Sequence, residues 1–507
     1  MRIFGRVICL LLVILFPLSS FAMEGPVYEV FVSSFMDSNG DSIGDISGIK
    51  EQIPYLQSLS IKGIWLTPIH PSPSYHGYDV TDYKAIRKEY GSIEDFKGLI
   101  SELDDAGIAF LLDFVVNHSS SEHPWFVSAC ESLSIEPCGA EKCTKEPLCR
   151  QHNPYVEYYN FTYGSGQHSV KGTKGWYYLG VFGSHMPDFN LDNKNVRHEL
   201  MDIAHFWMDL GVKGFRLDAV IHYYEQNSAK NEEFLRWLVA GIKEHNQNTY
   251  IVGEAWSDTA TVMRLYSSGI DSLFDFAIHG STGIIAESLR SRDGKALSER
   301  LEKHYSSLQA LDNPVQNAVF LGNHDTGRIA GILRRDLQKT KQAAALYLTL
   351  PGVPFIYYGE EIGMTGSGRD ENKRLPMLWN ANGDGLCLAP SDADQKQKLK
   401  QGVFEQDGDE ASLLNFYREL LSVREQCPVF ANGKLKAIDA QNSSLAAWQV
   451  FDGKDRLTVL HNLSAEPIKE PISWGGELIF VFDLGEGVPE IIDNILLMPA
   501  FSSCIFY

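Results

Sequence analysis

Arg216 and Asp218 stand two residues apart in the apolar run Val212–Val220. On an extended strand they project from the same face. A guanidinium beside a carboxylate favours the charged form, which is the form that can act as a nucleophile. Two further acids close similar runs. Tyr250-Ile251-Val252-Gly253 leads to Glu254, and Ala318-Val319-Phe320-Leu321 leads through Gly322 to Asn323-His324-Asp325. Upstream, Phe110–Val116 carries Asp113 and runs into Asn117-His118. Four strand-like runs that each deliver acid or histidine at the end predict a parallel (β/α)8 barrel, with the site at the C-terminal ends of its strands.

The elements between these runs fit that architecture. Val27–Phe35, Lys62–Pro68, Ile108–Phe114, Val212–Asp218, Thr249–Gly253, Ser272–Ala277, Asn317–Leu321 and Pro354–Tyr358 read as strands. Helical stretches at Gly48–Ser58, Ser92–Asp105, Asn195–Leu210, Glu232–His245, Lys295–Leu311 and Lys339–Leu348 lie between them, and a last helix spans Leu414–Arg424. From 119 to 185 the rhythm stops, and the stretch is rich in Gly, Tyr, Asn and Cys. A structureless loop of that length is unusual in a compact domain, so it reads as an irregular inserted domain forming one wall of the cleft. The predicted organisation is a leader at 1–22, a barrel at 23–118 and 186–427, the insert at 119–185 and a C-terminal domain at 428–507. Short alternating runs after Pro428 (Leu445–Phe451, Arg456–Leu463, Glu477–Phe482, Ile495–Tyr507) predict an antiparallel sandwich covering the barrel's side.

In form, order and spacing, the four strand-end motifs resemble those of the alpha-amylase family of glycoside hydrolases. Met186-Pro187-Asp188-Phe189-Asn190 resembles a fifth family motif. Its form lies between those of bacterial amylases and of oligo-1,6-glucosidase or neopullulanase relatives. The resemblance implies retaining hydrolysis of alpha-1,4-glucosidic bonds in starch, glycogen or maltooligosaccharides, with two carboxyl groups about 5–5.5 Å apart. It assigns Asp218 as nucleophile, Glu254 as acid/base with a pKa raised by burial and neighbouring carboxylates, and Asp325 as a holder of sugar hydroxyls. Tyr78, Asp79, His118, Arg216 and His324 are expected to bind substrate. Tyr75 occupies a position where exo-acting relatives carry Asp, and Ala219 one where alpha-1,6-specific relatives carry a larger residue. Both favour an endo-acting alpha-amylase. The alternatives are an alpha-glucosidase or neopullulanase-like enzyme and, remotely, a non-catalytic transporter partner anchored in a membrane.

Asp37-Ser38-Asn39-Gly40-Asp41-Ser42-Ile43-Gly44-Asp45 sets oxygen donors at every second position, with a carbonyl expected from Ile43, the spacing of a calcium loop. The resemblance implies a second calcium held by Asn117, Asp188 and the carbonyl of His222. Four of the cysteines left after a leader is removed crowd together, at 130, 138, 143 and 149. With no Cys-x-x-Cys pair and no histidine recognised at ligand spacing, the cluster is read as one or two disulfides, of open pairing, rather than as zinc. Arg2, Arg6, the apolar run Val7–Leu18 and Ser20-Phe21-Ala22 read as a secretory leader. The expectation is a monomeric secreted or periplasmic protein with no stable membrane anchor. A net charge of −21 argues against nucleic acid as a partner.

Overall fold

The computed structural model describes residues 23–225, 227–311, 315–453, 455–472, 474–482 and 487–507. The leader expected at 1–22 lies outside them. Eight parallel strands form the central sheet: β1 (Val27–Val30), β2 (Gly63–Leu66), β3 (Ala109–Phe114), β4 (Gly214–Leu217), β5 (Tyr250–Gly253), β6 (Ser272–Leu273), β7 (Ala318–Phe320) and β8 (Val353–Tyr357). Their order is β7-β8-β1-β2-β3-β4-β5-β6. The ring closes between β6 and β7 through one parallel bridge, Phe274 to Ala318. Asp275 N–H also donates to the Ala318 carbonyl at 2.9 Å.

Alternation along these strands builds two cores. Outward residues pack against the surrounding helices. Inward residues Val27, Trp65, Leu111, Tyr250, Val252, Phe274, Phe320, Val353 and Phe355 fill the barrel, which is a packed interior rather than a pore. Gly214 faces inward without a side chain, since a Cβ there would lie 2.6 Å from the Tyr250 carbonyl oxygen. Above the apolar layer, register sets Asp113 beside Arg216, the first charged pair of the site.

Strand ends are shorter than the sequence suggests. The run Val27–Phe35 is extended only to Val30, and Val32–Ser34 turns as a 3-10 helix. The run Ser272–Ala277 is a strand for two residues. The first helix divides into Ile46–Glu51 and Ile53–Ser58, with Pro54 at the start of the second piece, where a missing N–H costs nothing. The other expected helices hold within a few residues. Ile93–Asp105 begins on a Ser92–Asp95 capping box, and Lys194–Asp209 on Asn193. Thr259–Leu265 and Ile284–Ser291 are helices the periodicity did not single out.

The insert is less irregular than expected. It holds a helix, Pro124–Leu133, and a small antiparallel sheet of Phe161–Tyr163, Trp176–Tyr178 and His168–Ser169. Antiparallel bridges His118–Asp188 and Tyr159–Phe189 tie it to the end of β3. At the C-terminus, Lys434–Ala437, Leu445–Phe451, Arg456–Asn462, Ser503–Phe506 and Leu478–Phe482 form a five-stranded antiparallel sheet, beside a three-stranded one. Helix Gly294–Gln309 docks the larger sheet: Ser298 Oγ accepts the Ala447 N–H at 2.8 Å. A Cβ on Gly294 would stand 2.2 Å from the Ala446 nitrogen. No helix among the described residues is long and apolar enough to cross a membrane.

Candidate active site

One guanidinium organises the strand ends. Arg216 is fully buried. Its Nη1 donates to Asp218 Oδ1 at 2.6 Å and to Asp113 Oδ1 at 3.0 Å, and its Nη2 donates to Glu254 Oε2 at 2.6 Å. The two-residue spacing on β4 delivers Asp218 as expected. Glu254, which has no basic neighbour in sequence, receives the other arm of the same fork. Arg216 therefore sits beneath both acids and does not line the cleft, which corrects the expectation that it binds substrate. The fork is matched to carboxylates in a way a lysine is not.

Burial pushes the Glu254 carboxyl up to about 7, with Asp218 and Asp325 adding to the rise and Arg216 opposing it. Protonated near neutrality, Glu254 can give a proton to a departing oxygen. If it does, kcat/KM on a maltooligosaccharide should fall as pH rises through about 7, because the proton-bearing form is lost. On an alpha-maltosyl fluoride, whose departure needs no proton, that limb should be absent from the first chemical step. An alkaline limb of equal size on both substrates would count against Glu254.

Asp325 is held by a second cation, Arg374, at 2.8 Å, and by His324 Nε2 at 3.1 Å. Against the cost of burial, these two hold its carboxyl well below the usual range. His324 Nδ1 donates to Glu29 at 2.6 Å, and its Nε2 meets the Tyr78 hydroxyl at 2.7 Å. Burial opposes the charge on this ring, but Asp325 and Glu29 raise its pKa to about 10. The Tyr78 hydroxyl donates onward to Asp113 Oδ2 at 2.9 Å. A continuous chain thus runs from Glu29 through His324, Tyr78 and Asp113 to Arg216. His324 is fully buried within it and orients Tyr78 and Asp325, a correction to its expected contact with substrate.

The cleft above this layer has a volume of about 330 Å3, within the range of small-molecule sites. Tyr78, His118, Asp218, Glu254 and Asp325 line it, as expected. Both ring nitrogens of His118 are buried without a partner at hydrogen-bond geometry among the described residues. Burial lowers its pKa to about 4, with Asp218 and the Tyr78 main chain opposing, so the ring is neutral. Asp79 is not part of the lining. It accepts from the hydroxyls of Ser72 (2.6 Å) and Ser74, stiffening the loop that presents Tyr78, so it supports the site rather than contacting substrate. Phe182 of the insert and Met186 just after it form one wall.

Sequence reasoning noted the run Arg374–Trp379 as resembling a family segment but gave Arg374 no role, and it missed Trp256. Arg374 lies far beyond the barrel motifs. Trp256, half exposed and stacked on Phe276 at 4.8 Å, stands two residues after Glu254. That spacing was the available signal.

The expected calcium ligands divide. Asn117 Nδ2 lies 3.3 Å from Asp188 Oδ1, which also accepts the Val181 N–H. Burial pushes Asp188 up to about 7 and Glu225 adds to the rise, with only the Val181 N–H opposing. A buried carboxylate with no basic partner fits a hard cation. The His222 ring turns to Glu225, and its backbone N–H donates to the Ala219 carbonyl. In the 37–45 loop, Asp45 is withdrawn from the ligand set. Its two oxygens accept from Gly48 N, Ser38 Oγ, Ser38 N and Asn39 Nδ2, which fills a carboxylate's acceptor capacity and caps the next helix. Asp37 and Asp41 turn onto backbone N–H groups of Gly40, Ser42 and Ile43. Asp37 and Asp41 thus share their oxygens with loop N–H groups, and this loop fits a cation less well than Asn117 and Asp188 do.

A family model described as "Alpha amylase, catalytic domain" matches residues 29–433. "Alpha-amylase 3" of Dictyoglomus thermophilum is 36% identical over 460 residues, covering 86% of this chain and 84% of that protein. The chain belongs to the alpha-amylase family. It is a retaining glycoside hydrolase acting on alpha-glucans. Among solved structures, Eubacterium rectale Amy13B is similar with a TM-score of 0.89 and 35% identity, over 96% of this chain and 95% of that one. "Probable oligo-1,6-glucosidase 3" of Bacillus subtilis is 28% identical over 521 residues, covering 88% of this chain and 91% of that protein. Amylases and 1,6-glucosidases thus both lie among the relatives of this alpha-amylase-family enzyme, and specificity has to be argued from its own cleft.

Proposed function

We propose that this enzyme is an endo-acting alpha-amylase. Asp218 attacks the anomeric carbon, Glu254 protonates the leaving oxygen and then activates water, and Asp325 binds ring hydroxyls as positive charge develops on the sugar. The observation that carries the endo reading is the engagement of Tyr75. Its hydroxyl accepts from Arg374 Nη1 at 2.9 Å and its ring packs on Phe31. The position that would grip a chain end with a carboxylate is instead an aromatic clamped to the arginine behind Asp325. Asp370 reaches the cleft but is exposed and paired with Lys373 at 2.7 Å. Ala219, with φ of 47°, lines the cleft beside the nucleophile and presents only a methyl group there. On amylose, iodine staining should fall much faster than reducing ends accumulate, and early products should be mixed maltooligosaccharides. Glucose as the sole early product, with an end-blocked maltoheptaose left intact, would overturn the reading.

The proposal includes a structural calcium at Asn117 and Asp188, where it would neutralise the buried carboxylate and fasten the insert to β3. A ligand that binds only the native state stabilises it by mass action. A calcium-selective chelator should therefore lower the thermal midpoint, and Asp188→Asn should remove most of that sensitivity while Asp41→Ala leaves it. The site is rejected if melting of metal-free protein is unchanged by added calcium. The proposal also includes export to the periplasm or medium and a monomeric state, on the strength of the sequence at 1–22 and the acidic surface.

A further inference from the structure

We propose that Cys138, Cys143, Cys149 and His152 bind a single zinc ion that fastens the loop between the insert's helix and its sheet. The side-chain ligand atoms of these four residues all lie within 4.8 Å of one another, and among the described residues theirs is the sole such group of His, Cys, Asp or Glu. His152 Nδ1 is 3.5 Å from Cys138 Sγ and 3.2 Å from Cys149 Sγ. With Zn–S of about 2.3 Å and Zn–N of about 2.0–2.1 Å, the edges of a tetrahedral site of three sulfurs and one nitrogen are about 3.5–3.8 Å. The cluster is within a small adjustment of that figure. One ring nitrogen facing two sulfurs at once is poor hydrogen-bond geometry but good ligand geometry. The Cys149 N–H points at Cys143 Sγ at 3.4 Å, an outer contact of the sort that orients a ligating thiolate.

The sulfur count argues against the disulfides expected from sequence. Cys130 lies on helix Pro124–Leu133 and is not in the cluster. Three gathered sulfurs cannot pair off among themselves, and the fourth partner they find is an imidazole. The histidine was there to be read, as Cys149-x-x-His152. Soft thiolates with imidazole in a closed set of four select zinc among the common divalent ions.

The loop needs such a centre. Residues 134–152 contain turns but no helix or strand, and most of their side chains are exposed. Exposed pairs such as Arg150–Glu136 add little. Directly after His152, Asn153 Nδ2 donates to the Ser128 carbonyl at 2.9 Å and to Ser132 Oγ at 2.8 Å. A metal at His152 is thereby coupled to the insert's helix.

The test uses the full exported chain, purified without a metal-chelating tag. Mass spectrometry of metals should give about one zinc per chain, and the unreduced denatured protein should show no loss of hydrogen mass from oxidation of these three thiols. Cys143→Ser and His152→Ala should each cut the zinc to under about a tenth of that, while Cys130→Ser keeps it. If a variant does not accumulate, wild-type chain produced in cobalt serves instead. It should show thiolate charge-transfer and tetrahedral ligand-field absorption. A metal-free wild type with two of the three cysteines joined, zinc unchanged in both ligand variants, or a cobalt protein lacking these bands would overturn the proposal.

Discussion

Asp218→Asn and Glu254→Ala should each lower kcat on maltooligosaccharides by roughly a thousandfold to a hundred-thousandfold, about 4–7 kcal/mol of barrier, with melting and circular dichroism little changed. The two losses differ in kind. Without Asp218 no covalent intermediate forms, and any turnover with azide has to come from its direct attack on the substrate, giving the inverted beta-glycosyl azide. Without Glu254 the intermediate still forms on a substrate with a good leaving group, and azide can attack it from the face where Glu254 stood. The product should be an alpha-glycosyl azide, since the nucleophile holds the sugar through its beta face and azide enters from the alpha face, with net retention. Near-normal turnover by the Asp218 variant, or a beta-glycosyl azide from the Glu254 one, would sink the assignment.

Arg216→Met should be the most damaging substitution in the barrel. It removes the cation shared by Asp113, Asp218 and Glu254, and stripping one partner from a buried ion pair costs about 3–5 kcal/mol. Arg216 lowers the pKa of Asp113 and of Glu254, so its loss raises both further. The sign then follows. Carboxyls whose folded pKa exceeds the unfolded value bind more protons in the folded state, so the variant's stability should increase as pH falls from neutrality toward the unfolded carboxyl range. Denaturant midpoints across that interval check it. A variant as stable as wild type, or one that weakens on mild acidification, would show that the fork is not what holds the acids. Arg216→Lys should rescue only in part, since one ammonium cannot span both carboxylates at 2.6 Å.

The strand-end acids were legible because strand alternation and position in a β/α unit are local properties. Arg216 and Asp218 share a face by spacing alone. Glu254, Asp325 and His118 each follow an apolar run whose length already identifies it as a buried strand. Arg374 could not be placed, because its partnership with Asp325 is made across the top of the barrel by a segment with no strand or helix period. That Arg216, His324 and Asp79 lie beneath the cleft lining was not legible, for a related reason. Sequence places a residue at the cleft but does not say whether a neighbour lies above it. The 37–45 loop shows the same limit from the other side, since Asp45 has calcium-loop spacing and helix-cap spacing at once, and the following helix takes it. First-strand length was overread because Phe31-Val32 remain apolar after the chain has turned, buried against other partners. His152 stands three residues after Cys149, a spacing that the sequence reading did not recognise as that of a ligand.

The ring of strands is a closed circuit with one weak joint. Seven seams are ladders of backbone hydrogen bonds, whose strength is indifferent to acidity, while the eighth, between β6 and β7, has a single bridge. Backbone bonds from Asp275 N–H to Ala318 and from Gln316 N–H to Asp271 also cross it, and side chains bolt it further. Asp275 Oδ2 takes His304 at 2.8 Å and Asn317 Nδ2 at 2.5 Å, spanning β6, the helix Gly294–Gln309 and the start of β7. Despite burial, His304 holds the Asp275 carboxyl below its ordinary range, and Asp275 raises the His304 ring above its own. The bolt is an ion pair only between those two limits. It loosens when acid protonates the aspartate or when base neutralises the imidazole. Closure of this barrel is therefore conditional on its solvent at one seam and unconditional at the others.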